Sequence, residues 1–191
     1  MANICTTNYV FEGDGKQINA LNAILKNIAE TNPGNKGADN YQSDANWLGY
    51  VAEKLVSADY DISSCRGNFF IQGVENCPYD DDKLILRLDV TSSWSPCTDL
   101  FEKVAEKFEC SLYWIAEEFG CNLFQSNDSE GRYFADDTIC VDATDHGMEY
   151  FSTQEDALSF IRDMAQNNTL EWNDVDYLTS IGIYVHEVDY V

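Results

Sequence analysis

Apolar and polar residues change period several times along this chain, and each change marks an element. Residues 3–12 end in Tyr9-Val10-Phe11, side chains that favour a pleated conformation, so the chain opens with a strand. Gly13-Asp14-Gly15 turns it, with Asp14 as N-cap. Ile18, Leu21, Leu25 and Ile28 then recur at helical spacing to about Glu30. Thr31-Asn32-Pro33-Gly34-Asn35-Lys36-Gly37 is the most loop-like stretch. Trp47, Leu48, Val51, Ala52 and Leu55 fit a shorter second helix within residues 44–58. Two strands follow, 68–72 and 84–90. In the second, Leu84, Leu86, Leu88 and Val90 share one face and Arg87 and Asp89 the other. The charged run Pro78-Tyr79-Asp80-Asp81-Asp82-Lys83 joins them as a hairpin connection.

Ser95-Pro96 predicts a helix entry, Ser95 as N-cap and Pro96 in the first turn. Leu100, Phe101, Val104 and Phe108 mark its buried stripe. Strands are expected at 111–117 and 121–125, near Tyr133-Phe134, and at 138–142. A further helix opens at Ser152 or Thr153 and buries Leu158, Ile161 and Met164, and residues 183–188 form a last strand. The leading order, strand–helix–strand–strand–helix–strand with a short extra helix, is that of a ferredoxin-like α+β sandwich: an antiparallel sheet with helices on one face. The expectation is a single domain over 1–191. Its core reaches to about 145, with an excursion at 31–60, an extra hairpin on the sheet, and a helix–strand extension at 146–191.

Particular residues carry a resemblance. Trp94-Ser95-Pro96, the helix ending Phe101-Glu102-Lys103-Val104-Ala105-Glu106-Lys107-Phe108, the segment from Leu112-Tyr113-Trp114 to Glu117-Glu118-Phe119-Gly120-Cys121, and Asp128-Ser129-Glu130-Gly131-Arg132-Tyr133-Phe134 resemble the YubB-type ferredoxin-like domain. The likeness spans about 1–145 and is strongest across 86–142. It implies a protein of bacterial plasmids, phages and related mobile elements, and it implies no catalytic residues.

Charge changes the picture most. The 191 residues hold 34 acids and 11 bases, a net charge of −23. Residues 1–107 carry 16 acids and 9 bases, residues 108–191 carry 18 and 2, and no lysine follows Lys107. Such a field repels nucleic acid and anionic lipid at range, which excludes direct nucleic-acid and membrane partners. It suits either a basic protein partner or plain solubility and salt tolerance. Seven cysteines, an odd number without Cys-x-x-Cys spacing, read as reduced and mostly buried thiols of a cytoplasmic protein. No apolar run approaches the roughly 18–20 residues of a membrane helix.

Candidate chemistry is sparse. Gly13-Asp14-Gly15 lacks the remainder of a dinucleotide or P-loop motif, and its aspartate would repel phosphate. Asp128, Glu130, Gly131 and Asp137 imitate part of an EF-hand loop, but Ser126 stands at its first position and the flanks read as strands; hairpin turn chemistry explains the same residues. His146 beside Asp142 and Asp145 could serve as a general base or simply lie solvated in a loop. Phe69, Phe70, Tyr113 and Trp114 could stack bases, but lack cations to hold a backbone. No cofactor or metal is expected. The leading expectation is a non-enzymatic interaction protein whose acids engage a basic protein surface, in the manner of a nucleic-acid mimic. Its candidate contacts are Asp80, Asp81, Asp82, Glu117, Glu118, Asp136, Asp137, Asp142 and Asp145. The rival is a small-ligand or metal-binding protein or enzyme, with a cleft between the sheet and the 31–60 excursion and Trp47, Tyr50, Trp94 and His146 as its first suspects.

Overall fold

In the computed structural model, which describes residues 3–32, 44–118, 120, 122–136 and 138–191, strand β1 (Ile4–Asp14) runs between two antiparallel neighbours. It pairs with β3 (Lys83–Ser93) from Ile4 opposite Ser93 to Asp14 opposite Lys83, and with β4 (Ser111–Glu118) from Thr6 opposite Glu117 to Glu12 opposite Ser111. Strand β2 (Gly67–Asn76) completes the order β2-β3-β1-β4 by pairing with β3. The register puts Tyr9 beside Leu88 and Trp114, and Phe11 beside Leu86 and Leu112. These residues therefore share one face.

Among the described residues, three helices supply the side chains that cover that face. Helix α1 (Gly15–Thr31) buries Ile18, Leu21, Leu25 and Ile28, the stripe read from the sequence, and the Asp14 carboxylate caps its start by accepting from the Lys16 amide at 2.7 Å. A short helix α2 (Leu48–Val51) continues as a wider turn through Val56, where the Ser57 amide reaches back five residues to the Ala52 carbonyl at 3.1 Å. Helix α3 (Thr98–Lys107) buries Leu100, Phe101, Val104 and Ala105. Its start differs from expectation. Cys97, not Ser95, is the N-cap residue, because Trp94 takes a left-handed φ of 73° and the Ser95 carbonyl accepts the Ser92 hydroxyl at 2.8 Å, holding that stretch as a turn.

These elements form a compact unit, Met1–Leu123, and a second unit runs from Phe124 to Val191. The first closes before the boundary near 145, because β6 (Ile139–Ala143) pairs with β7 (Gly147–Phe151) and β8 (Ile183–Glu187) in a separate antiparallel sheet. Helix α4 (Gln154–Ala165) and the short α5 (Val175–Ser180) supply Ala157, Ile161 and Leu178 to a core completed by Ile139, Val141, Ala143, Leu170 and Ile183. Thr153 caps α4, its hydroxyl accepting from the Asp156 amide at 3.2 Å. Gln125 and Ser126 of β5 (Leu123–Ser126) pair in parallel with Asp189 and Tyr190 of β9 (Asp189–Tyr190).

Two strands were misjudged from sequence. Tyr133 and Phe134 are not in a strand, since their amides are drawn to the Asp128 carboxylate; β7, over residues that the sequence reading assigns to no element, is a strand. Cys5, Cys65, Cys77, Cys97, Cys110 and Cys140 are free thiols, and Cys121 lies outside the described residues. The fold is α+β, and among the described residues no helix is long and apolar enough to cross a membrane.

Candidate functional site

The second unit concentrates the charge problem. Residues 124–191 hold 15 acids and 2 cations, Arg132 and Arg162. Arg162 spends its guanidinium on a carbonyl: Nε and Nη2 donate to Leu170 O at 2.9 and 2.7 Å. The first unit balances acids locally, with Lys83 Nζ 2.9 Å from Glu12 Oε1, Arg87 Nε 3.3 Å from Glu75 Oε1, and Lys103 paired with Asp99. That last contact, with the Tyr60 hydroxyl donating to the same carboxylate, holds the Asp99 carboxyl below the usual range.

Some acids of the second unit have structural work. Asp128 is only 3% exposed and accepts from the amides of Arg132 at 2.8 Å, Tyr133 at 2.6 Å and Phe134 at 2.9 Å. Both oxygens are thereby occupied by backbone donors, so the EF-hand-like pattern is a turn built on one carboxylate. Asp137, its last member, lies outside the described residues. Among the described residues no group of three or more histidine, cysteine or acidic side chains is placed to hold a metal ion. Glu187 accepts from Gln154 Nε2 at 2.6 Å and Trp172 Nε1 at 2.9 Å, and Asp174 from the Glu171 amide at 2.7 Å. Asp136, Asp142, Asp145 and Glu149 have no such duty; Asp142 is half-buried and the other three are exposed.

Asp142 has a particular setting. Ile139, Val141 and Ala143 face helix α4, so Cys140 and Asp142 face the other way. Met148 on β7 and Tyr184 on β8 stand directly opposite Asp142, and Tyr150 and His186 stand opposite Cys140. That face thus carries two rows, Met148–Asp142–Tyr184 and Tyr150–Cys140–His186. Met148 is 50% exposed and Tyr184 45%, whereas Cys140 is buried. The Tyr150 ring meets Phe124 edge-on at 6.4 Å, closing one end of the face. Burial pushes the His186 imidazole below its ordinary pKa, with the Asp142 carboxylate pulling weakly the other way.

The remaining candidates scatter. Asp81 and Asp82 are exposed on the β2–β3 connection, while Asp80 helps form the turn, accepting from the Asp82 amide at 3.1 Å and lying 3.7 Å from Lys83 Nζ. Glu117 is half-buried on β4. Glu118 is corrected: at 6% exposure, with Oε1 accepting from the Gly120 amide at 3.1 Å, it is an interior group and not a partner contact. Trp47 is corrected as well. It is 6% exposed, its indole Nε1 donates to the Cys65 carbonyl, and Tyr50 packs edge-on at 5.2 Å, so its ring is part of the packing and not a ligand platform. Phe69 and Trp114 are likewise buried, whereas Phe70 is exposed.

Trp94 is exposed on the turn before α3. His146 sits exposed on the β6–β7 turn, its amide donating to Ala143 O at 3.0 Å, and with Asp145, Thr144, Tyr177 and Gly182 it lines a recess of about 260 Å³. A cavity of about 480 Å³ does lie between the excursion and the sheet, but Lys26, Glu30, Asn46, Phe69, Phe70 and Gln72 line it rather than the four suspects. Met148, Tyr150, Tyr184 and Glu149 were missed from sequence. The alternation Met148-x-Tyr150 was the available signal, obscured by Gly147 at the strand's start. No protein-family model matches the chain, and no curated protein does.

Proposed function

We propose that the chain is a non-enzymatic, acidic interaction protein of a bacterial mobile element, whose second unit engages a basic protein surface that otherwise holds nucleic acid. The observation that carries the reading is the second unit's 15 acids against 2 cations, one of them committed to a backbone carbonyl. At least thirteen carboxylates there have no cation of their own unit to pair with. Like charges held together cost stability, and a cationic partner relieves that cost. Duplex DNA presents one negative charge per about 1.7 Å of axis, so a carboxylate-bearing surface competes for the same cations and gains a fast, salt-sensitive encounter.

The proposal includes membership of the YubB-type ferredoxin-like family, and the first unit supports that part. Its connection order, strand–helix–strand–strand–helix–strand, and its sheet order β2-β3-β1-β4 support a ferredoxin-like reading of this α+β unit.

The test is retention of host proteins by the immobilised chain at low and high salt, against a variant with Asp136, Asp142, Asp145 and Glu149 changed to their amides. Expected is capture of proteins that also bind duplex DNA, displaced by added DNA and lost in the variant. Equal capture by both proteins overturns the reading. If the charge serves salt tolerance alone, stability climbs with salt while nothing is retained. The cavity beside Lys26 and Glu30 favours a second reading, a small-ligand site. A rise in melting temperature with a nucleotide or metabolite would support it, and a flat screen would count against it.

A further inference from the structure

Around Asp142, the face of the β7-β6-β8 sheet turned away from α4 combines two features that recognise the same chemistry. Asp142 is a carboxylate set between two side chains directly across from it, the thioether of Met148 and the ring of Tyr184. Directly opposed residues of an antiparallel pair have Cβ atoms about 4.5–5.5 Å apart, so one planar cation can lie on the ring while reaching the carboxylate. Aromatic faces attract guanidinium and ammonium groups, guanidinium the more so because it is planar and weakly hydrated. Tyr184 and Met148 are about half exposed, and the Asp142 carboxylate has no hydrogen-bond or ion-pair partner among the described residues. A lone acid on a sheet face would be ordinary; an acid between an open tyrosine and an open methionine, in a unit short of cations, is a receptor for one.

We propose that this face docks an arginine side chain from a basic segment of the partner protein, its guanidinium paired with Asp142 and stacked on Tyr184, and its aliphatic stem against Met148. The occupant follows from charge complementarity: the unit's surplus of acids draws a basic segment, and the rows on the sheet select arginine within it. Tyr150 and Phe124, in edge-on contact, bound the site at one end. His186, the diagonal neighbour of Asp142, is kept from adding a competing positive charge by its burial. This inference rests on the acidic-interaction reading and sharpens it to one site.

The test uses the full chain, isotope-labelled, titrated with three short peptides of equal length. One carries arginines, one lysines, and one citrullines, which keep the planar shape without charge. Expected are amide shifts concentrated at 140–150 and 183–187, with the arginine peptide binding several-fold more tightly than the lysine peptide and the citrulline peptide not binding. Asp142→Asn should weaken the arginine peptide about tenfold. Tyr184→Leu should remove the preference for arginine over lysine, and Tyr184→Phe should keep it. Binding that is unchanged in Asp142→Asn, with shifts elsewhere on the second unit, overturns this site and leaves the broader reading standing. Failure of both cationic peptides to bind at low salt overturns both.

Discussion

The two units solve the problem of folding an acidic chain in different ways. The first buries a core that includes Tyr9, Phe11, Phe69 and Phe101 and pairs several of its acids with lysine or arginine. The second has a core cluster of eight buried aliphatic side chains among its described residues, and ties some of its acids to backbone or side-chain donors instead of to cations. Apolar burial contributes roughly 25 cal/mol per Å², so the larger cluster gives the first unit the greater reserve of apolar stabilisation. What the comparison teaches is that charge is placed where packing is least able to absorb it. Such a placement fits a surface used for contact better than one used for stability.

The largest test of that contrast is in the core. Phe101 touches the rings of Tyr9 at 4.4 Å and Phe11 at 6.2 Å, and Phe101→Ala should cost about 3–5 kcal/mol, read from denaturant unfolding of the full chain. A loss below about 1 kcal/mol would mean the first core is not as tightly packed as described. Next comes Asp128→Ala, which strips three amides of their acceptor and should destabilise the second unit by about 2–4 kcal/mol. Hydrogen exchange should accelerate at Arg132, Tyr133 and Phe134 and stay unchanged along β1. Acceleration spread evenly over both units would erase the contrast. Asp14→Ala, removing an exposed cap, should cost only about 1 kcal/mol, visible as fraying of the first turn of α1.

The smallest effect is a pH response of the second unit. His186 has its pKa lowered in the folded state, chiefly by burial, so the unfolded chain binds its proton more readily. The resulting stabilisation is present above the unfolded value near 6.5 and is lost as pH falls through the folded value. Wild type should therefore lose melting temperature relative to His186→Gln between pH 7.5 and 5. A difference that stays constant across that range contradicts the assignment.

Much of the first unit was legible because its signals were redundant. In α1 the cap and the apolar spacing agree, while most of the loop expected at 31–37 lies outside the described residues, and in β3 the alternation from Leu84 to Val90 marks both conformation and face. The start of α3 was missed because Ser95-Pro96 is a sound helix entry locally. The left-handed Trp94 and the Ser92 hydroxyl bond that delay it are not written in the local pattern. Trp47 misled for the reverse reason, since an indole beside a polar loop gives no sign that its N–H will find the Cys65 carbonyl eighteen residues away. The candidate site was legible only in part. Asp142 stands out by charge, but its pairing with Met148 and Tyr184 depends on the register of two strands, one of which the local pattern does not announce.

The outer strand of the first sheet carries an irregularity that bears on aggregation. Strand β2 lies at the border of its sheet, and its ladder with β3 slips between Ile71 and Gly73, leaving Gln72 as an extra residue. A bulge bends and twists the strand that carries it, so the outer row of amides and carbonyls cannot present a straight template to another chain. Phe70 is exposed on that same strand and would otherwise make it adhesive. The kink thus acts as a guard against fibril-like stacking, a safeguard that removing Gln72 would take away.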